Sequence, residues 1–116
     1  MNVGVERAES TDRDLAAIFD FLIASYLSFG DDEQEAIERA ATRLRMIERE
    51  MLAIGRAPQQ GTLRDDLLPG LRCVTRKRAV FYFEVNDAIR RVRILAIFLA
   101  GQDQQRRMLL RLFSEQ

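Results

Sequence analysis

Residues 11–55 and residues 71–100 follow different periods, and that change limits what the chain can fold into more than any other feature. In the first stretch, Leu15, Ile18, Phe19, Leu22, Ile23 and Tyr26 recur at helical spacing. Ile37, Ala40, Ala41, Leu44, Ile47, Met51 and Leu52 do the same. Each set lines one face of an amphipathic helix. Thr11 with Asp14 gives an S/T-x-x-D capping signature ahead of the first face, and Gly30 ends that segment. The second helix begins at Asp31 or Asp32, where the acids of "DDEQE" suit the positive end of the helix dipole. Gly55 and Pro58 stop it. So tight a connection predicts an antiparallel helical hairpin.

From Ala57 the texture changes. "APQQGTLRDDLLPG" holds both prolines and reads as an irregular connection. Three β-like pieces follow, "LRCVT" (71–75), "AVFYFEV" (79–85) and "RVRILAIFLA" (91–100), rich in aromatic and β-branched residues. Short links at 76–78 and 86–90 make them an antiparallel meander. Gly101 ends the third strand, and "DQQRRMLLRLF" reads as a short terminal helix with Asp103 near its start. A further strand within residues 2–7 fits the order but alternates weakly. The expectation is one α+β domain spanning 1–116: an N-terminal helical hairpin packed on a small antiparallel sheet of three to four strands, then a C-terminal helix.

Alternation in the last strand divides its side chains. Arg91, Arg93, Leu95, Ile97 and Leu99 share one face; Val92, Ile94, Ala96 and Phe98 share the other. The uniformly apolar second face should pack on the helices. The mixed first face is either solvated or available to a partner's apolar segment.

Composition removes several chemistries. The chain has no histidine and one cysteine, so histidine-based acid–base schemes, disulfides and the usual zinc or transition-metal ligand sets are not expected. Cys73 reads as a small buried hydrophobe. "DDEQE" lacks calcium-loop spacing, and no metal or cofactor is expected. The longest apolar run, Ile94 to Ala100, is far short of the roughly 20 residues that span a bilayer. With no signal-peptide pattern at the start, a soluble cytoplasmic protein is expected. Net charge is zero, yet residues 1–55 hold six arginines against twelve acids, while residues 56–116 hold twelve basic residues against six acids. The second half therefore offers a positive face to an acidic partner.

The ααβββ order, "DLAAIFDFL" in the first helix, "PGLR" entering the sheet, "AVFYFEV", "RVRILAIF" and the final "GQDQQRRML" resemble the RelE/ParE superfamily of bacterial toxins. The likeness covers about residues 8 to 112, and only the ordered series of motifs carries it. It implies the toxin half of a type II toxin–antitoxin module, sometimes labelled a plasmid stabilisation protein. A cognate antitoxin would neutralise it, and the protein would form either a homodimer or a toxin–antitoxin hetero-oligomer. Sequence-specific DNA binding in such modules lies in the antitoxin, and no membrane is implied.

The superfamily divides by target. RelE-like members cut messenger RNA in the ribosome, with basic residues on the sheet and often a terminal tyrosine or histidine. Arg72 and Arg93 resemble the basic positions, but no Tyr or His follows Gly101. Arginine stays protonated and makes a poor base, which leaves Tyr82, a mid-strand residue. A pI near 6.3 also suits an RNA-directed nuclease poorly. The ParE-like branch fits better. Its members poison DNA gyrase by protein–protein contact and need no catalytic base, so an inhibitor is favoured over an endoribonuclease. A non-toxic α+β adaptor is the third alternative, since fold alone does not fix function. On the toxin reading, Arg72, Arg76, Lys77 and Arg78, with Arg106, Arg107 and Arg111, are target-binding candidates. Met108, Leu109 and Leu112 would anchor the last helix. Arg91, Arg93, Leu95 and Ile97 are antitoxin-binding candidates. Each basic group has a plainer use: charge near a helix C-terminus, or a turn that protects a strand edge.

Overall fold

The computed structural model describes residues 3–100 and 104–114. Nine segments follow in order. They are β1 (Gly4–Arg7), α1 (Glu9–Ser28), α2 (Glu33–Ala53), a 3-10 turn (Ile54–Arg56), β2 (Thr62–Leu63), β3 (Arg72–Arg76), β4 (Ala79–Asn86), β5 (Arg91–Leu99) and α3 (Gln104–Ser114). The helical pair and the β3–β4–β5 meander match the periodicities, and the fold is α+β. The sheet differs from expectation. It has five strands in the order β1-β5-β4-β3-β2, and it is mixed, because β1 lies parallel to β5. The helical pair is therefore preceded by a strand. β2 falls inside the segment read as a connection; its two residues pair with Cys73 and Arg72. The expected roles of Gly101 and Asp103 lie outside the described residues.

The hairpin forms for local reasons. Asp32 is the N-cap of α2 and accepts from Glu35 N–H at 2.8 Å. That bond holds the Asp32 carboxyl below its ordinary range. Gly30, at φ 106, closes α1, and Arg39 reaches back across the turn to Asp31 (2.7 Å) while its guanidinium stacks 4.0 Å from the Tyr26 ring. α1 starts at Glu9, two residues before the expected cap, and Ala8 at its N-cap position offers no side-chain acceptor. Thr11 and Asp14 are thus not a capping pair. Both are buried and serve the sheet instead.

The sheet is covered on both faces. Leu15, Ile18 and Leu22 of α1 and Ala40, Ile47 and Met51 of α2 pack on Phe81 and Phe83 of β4 and on Val92, Ile94, Ile97 and Leu99 of β5. On the far face, Met108 of α3 and Leu71 pack on Val80, Tyr82, Ala96 and Phe98, with Leu67, Leu68 and Leu112 at the margin. These two layers explain a second departure from expectation. β5 carries a bulge at Leu95: Tyr82 pairs with Ala96, but Phe83 pairs with Ile94. One extra residue reverses the alternation. Val92 and Ile94 therefore share the helix face with Ile97 and Leu99, while Ala96 and Phe98 join Arg91 and Arg93 on the far face. The expected division of β5 holds only up to Ile94.

Candidate interaction site

β1 ends at Arg7, paired with Ile94, whereas β5 continues to Leu99. Among the described residues no strand lies beside the outer edge of β5 beyond Ile94, and bare edge groups must find other partners. The first turns of α1 supply them. Ala8 N–H and the Thr11 hydroxyl (2.9 Å) both donate to Ile94 O. The Ser10 hydroxyl donates to Leu95 O at 3.2 Å, and Asp14 Oδ2 accepts from Ile97 N–H at 3.0 Å. From the opposite side, Arg111 of α3 donates to both carboxylate oxygens of Asp14, at 2.7 Å for Oδ2, and to Leu95 O at 3.2 Å. One buried carboxylate thus ties together a strand edge and two helices.

Past this tie the edge opens into a groove of about 430 Å³. Ala17, Ile18 and Phe21 of α1, Phe98 of β5 and Leu110 of α3 supply apolar walls, and Arg107 and the Asp14–Arg111 ion pair line it as well. Phe21 is 49% exposed and Leu110 59%, so two large apolar side chains stand at its mouth. Sequence periodicity gave no sign of the groove, because it forms only where β1 is shorter than β5.

The three C-terminal arginines do not form one patch. Arg106 is exposed. Arg107 is also exposed, with its guanidinium 5.4 Å from the Phe98 ring. Arg111 turns inward onto Asp14 and is a structural tie, not a free target contact. Met108 and Leu112 anchor the helix as expected, but Leu109 faces solvent.

The residues that would form a nuclease site are not assembled. Arg72 lies opposite Phe83, hence on the helix face, and its guanidinium donates to Gln59 O and Oε1 at 2.9 and 3.0 Å. Arg93 lies on the far face, directly between Glu6 of β1 and Glu84 of β4. A cation flanked by two carboxylates is a poor seat for a phosphate. Tyr82 is 1% exposed and packs edge-on to Phe98, with ring centroids 6.1 Å apart. Burial, and then the neighbouring Cys73 thiol, push its phenol up to about 12. It is no base at neutral pH. Cys73 itself is half-buried, and burial raises its thiol above the ordinary range. Among the described residues no cluster of three or more His, Cys, Asp or Glu side chains is placed to hold a metal ion.

The other two groups of candidates also divide. Of Arg91, Arg93, Leu95 and Ile97, the two arginines are exposed on the far face, Leu95 is half-buried in the bulge and Ile97 is buried under the hairpin. The bulge is the reason. Gly4 matters here, since the Arg91 side chain lies over it and a Cβ would meet Arg91 Nη1 at 2.8 Å. Of Arg72, Arg76, Lys77 and Arg78, the first two are engaged inward, Arg76 with Gln60 (2.8 Å) and Glu50 (3.4 Å). Lys77 and Arg78 form the tip of the β3–β4 turn and are exposed.

No protein-family model matches the chain, and no curated protein matches it by sequence. Solved structures do. The chromosomal ParDE toxin–antitoxin system from P. aeruginosa contains a chain of similar fold, with a TM-score of 0.65 at 20% identity, covering 85% of this chain and 97% of that one. A mutant of the E. coli toxin RelE in the free state gives a TM-score of 0.58 at 9% identity, covering 96% and 97%. The toxin–antitoxin complex RelBE2 from Mycobacterium tuberculosis gives 0.50 at 16% identity, covering 85% and 99%. The chain has the RelE/ParE-like fold that its ordered motifs implied. No helix among the described residues is long and apolar enough to cross a membrane.

Proposed function

We propose that the protein is the toxin of a type II toxin–antitoxin module and that it inhibits DNA gyrase by protein–protein contact. The observation that carries the choice of target is the separation of Arg72, Arg93 and Tyr82. Two lie on opposite faces of the sheet, and the third is a buried phenol pushed up to about 12. Cutting RNA needs a group to take the 2′-hydroxyl proton and cations converging on the scissile phosphate. Trapping a topoisomerase needs only a shaped, charged surface. Likeness of fold to a ParDE chain supports the same reading.

The antitoxin docks, on this proposal, in the groove between α1, the outer edge of β5 and α3. An amphipathic acidic segment suits it, since Phe21 and Leu110 offer apolar contact and Arg107 offers charge. The test of the target is a cleavage assay with purified gyrase, ATP and supercoiled plasmid. Linear DNA should accumulate after detergent and protease treatment when the protein is added, and disappear when its antitoxin is present. Absence of linear DNA, with messenger RNA cut in a translating extract, would transfer the protein to the nuclease branch.

A further inference from the structure

We propose that the Lys77–Arg78 turn, braced by Arg43, is a contact for the phosphodiester backbone of duplex DNA. Lys77 and Arg78 connect β3 to β4 as a two-residue turn with φ of 49° and 65°. Positive φ at both central positions is the type I′ signature, for which Asn-Gly is the favoured sequence because longer side chains are strained there. This chain places two long cations at the strained positions. Strain of that kind persists only where the surroundings hold it, and it clusters at functional sites. Here both carbonyls of the turn are held: Arg43 Nη2 of α2 donates to Lys77 O at 2.7 Å, and Ala100 N–H donates to Arg78 O at 2.8 Å.

The brace adds a third charge, because the guanidinium that fixes the turn stands beside it. Among the described residues, none of these three cations lies within ion-pair distance of a carboxylate, unlike Arg76 next to them, which meets Glu50. The turn itself carries no apolar side chain. Unneutralised cations on a fixed turn, without an apolar anchor, suit a phosphate backbone better than a peptide, whose binding needs side-chain pockets. Such a contact reads no sequence. Its setting, a toxin held against the DNA of a gyrase complex, rests on the reading above, but binding to a free duplex tests it separately.

The experiment is fluorescence anisotropy of a labelled 20-base-pair duplex titrated with the full chain between 50 and 200 mM salt. Three phosphate contacts give a slope of log K against log salt of about −2.7, a loss of roughly 40-fold over that range. The informative variant is Lys77→Asn with Arg78→Gly, which removes both charges and installs the favoured turn. It should unfold at a higher temperature than the parent while its slope falls to about −0.9. Arg43→Gln should make the slope shallower, to about −1.8. No binding at protein concentrations up to about 100 μM would overturn the proposal and leave the gyrase reading standing. So would an unchanged slope in the turn variant. Tighter binding of a polyglutamate peptide than of the duplex at equal salt, lost in the same variant, would overturn it in favour of an acidic protein segment.

Discussion

Arg111 of α3 and Asp14 of α1, 97 positions apart in the chain, are hydrogen-bonded at the point where β5 loses its outer neighbour. The pair is largely buried, with side-chain exposures of 20% and 8%, and Asp14 also satisfies Ile97 N–H. Asp14→Ala should therefore cost about 3 kcal/mol, because it strands a guanidinium and a backbone donor together. Asp14→Asn keeps an acceptor for Ile97 and should cost less. In urea unfolding, a double-mutant cycle with Arg111→Gln should return a coupling above about 1 kcal/mol. Additive losses would show that the two groups do not act as a pair.

If Tyr82 and Arg93 take no part in chemistry, then Tyr82→Phe and Arg93→Ala should both arrest growth as the parent does. Removing the phenol oxygen should change stability by only about 1 kcal/mol. A nuclease using either group would lose orders of magnitude of activity, so colony counts after induction separate the cases.

Stability should fall in alkali. Burial raises the Tyr82 phenol from its ordinary 10 to about 12 and also raises the Cys73 thiol. Between those limits the folded chain holds protons that the unfolded chain has released, so stability drops as pH rises. The decline should begin near pH 9 and reach roughly 2–3 kcal/mol by pH 12 for Tyr82 alone. Urea midpoints at pH 8 and 11.5 measure it. Tyr82→Phe should keep only the part due to Cys73.

The groove makes its own prediction. Phe21→Ser with Leu110→Ser removes two exposed apolar contacts, and stability should change by no more than about 0.5 kcal/mol for each. Growth arrest should persist while rescue by the antitoxin weakens, read as colony counts on co-expression. Undiminished rescue would place the antitoxin elsewhere.

Helical spacing located α1 and α2, and β-branched and aromatic runs located the meander, because those signals are local. What escaped was set by partners distant in sequence. The Thr11–Asp14 spacing is a capping signature by pattern, yet its acceptors and donors face a strand more than 80 positions away. The bulge at Leu95 leaves no trace in a run that reads I-L-A-I-F-L, since either phase of alternation is apolar there. Arg111 is one of three similar arginines, and only the buried carboxylate opposite it sets it apart. The division of Arg72 from Arg93 followed from the same bulge and from register, neither of which composition reveals.

Pulse-labelling of DNA and protein synthesis in bacteria within minutes of inducing this chain tests gyrase inhibition in the cell. Inhibition of gyrase predicts that thymidine incorporation falls first, with filamentation, while methionine incorporation continues. A fall in methionine incorporation before any change in DNA synthesis would contradict it and point to the ribosome.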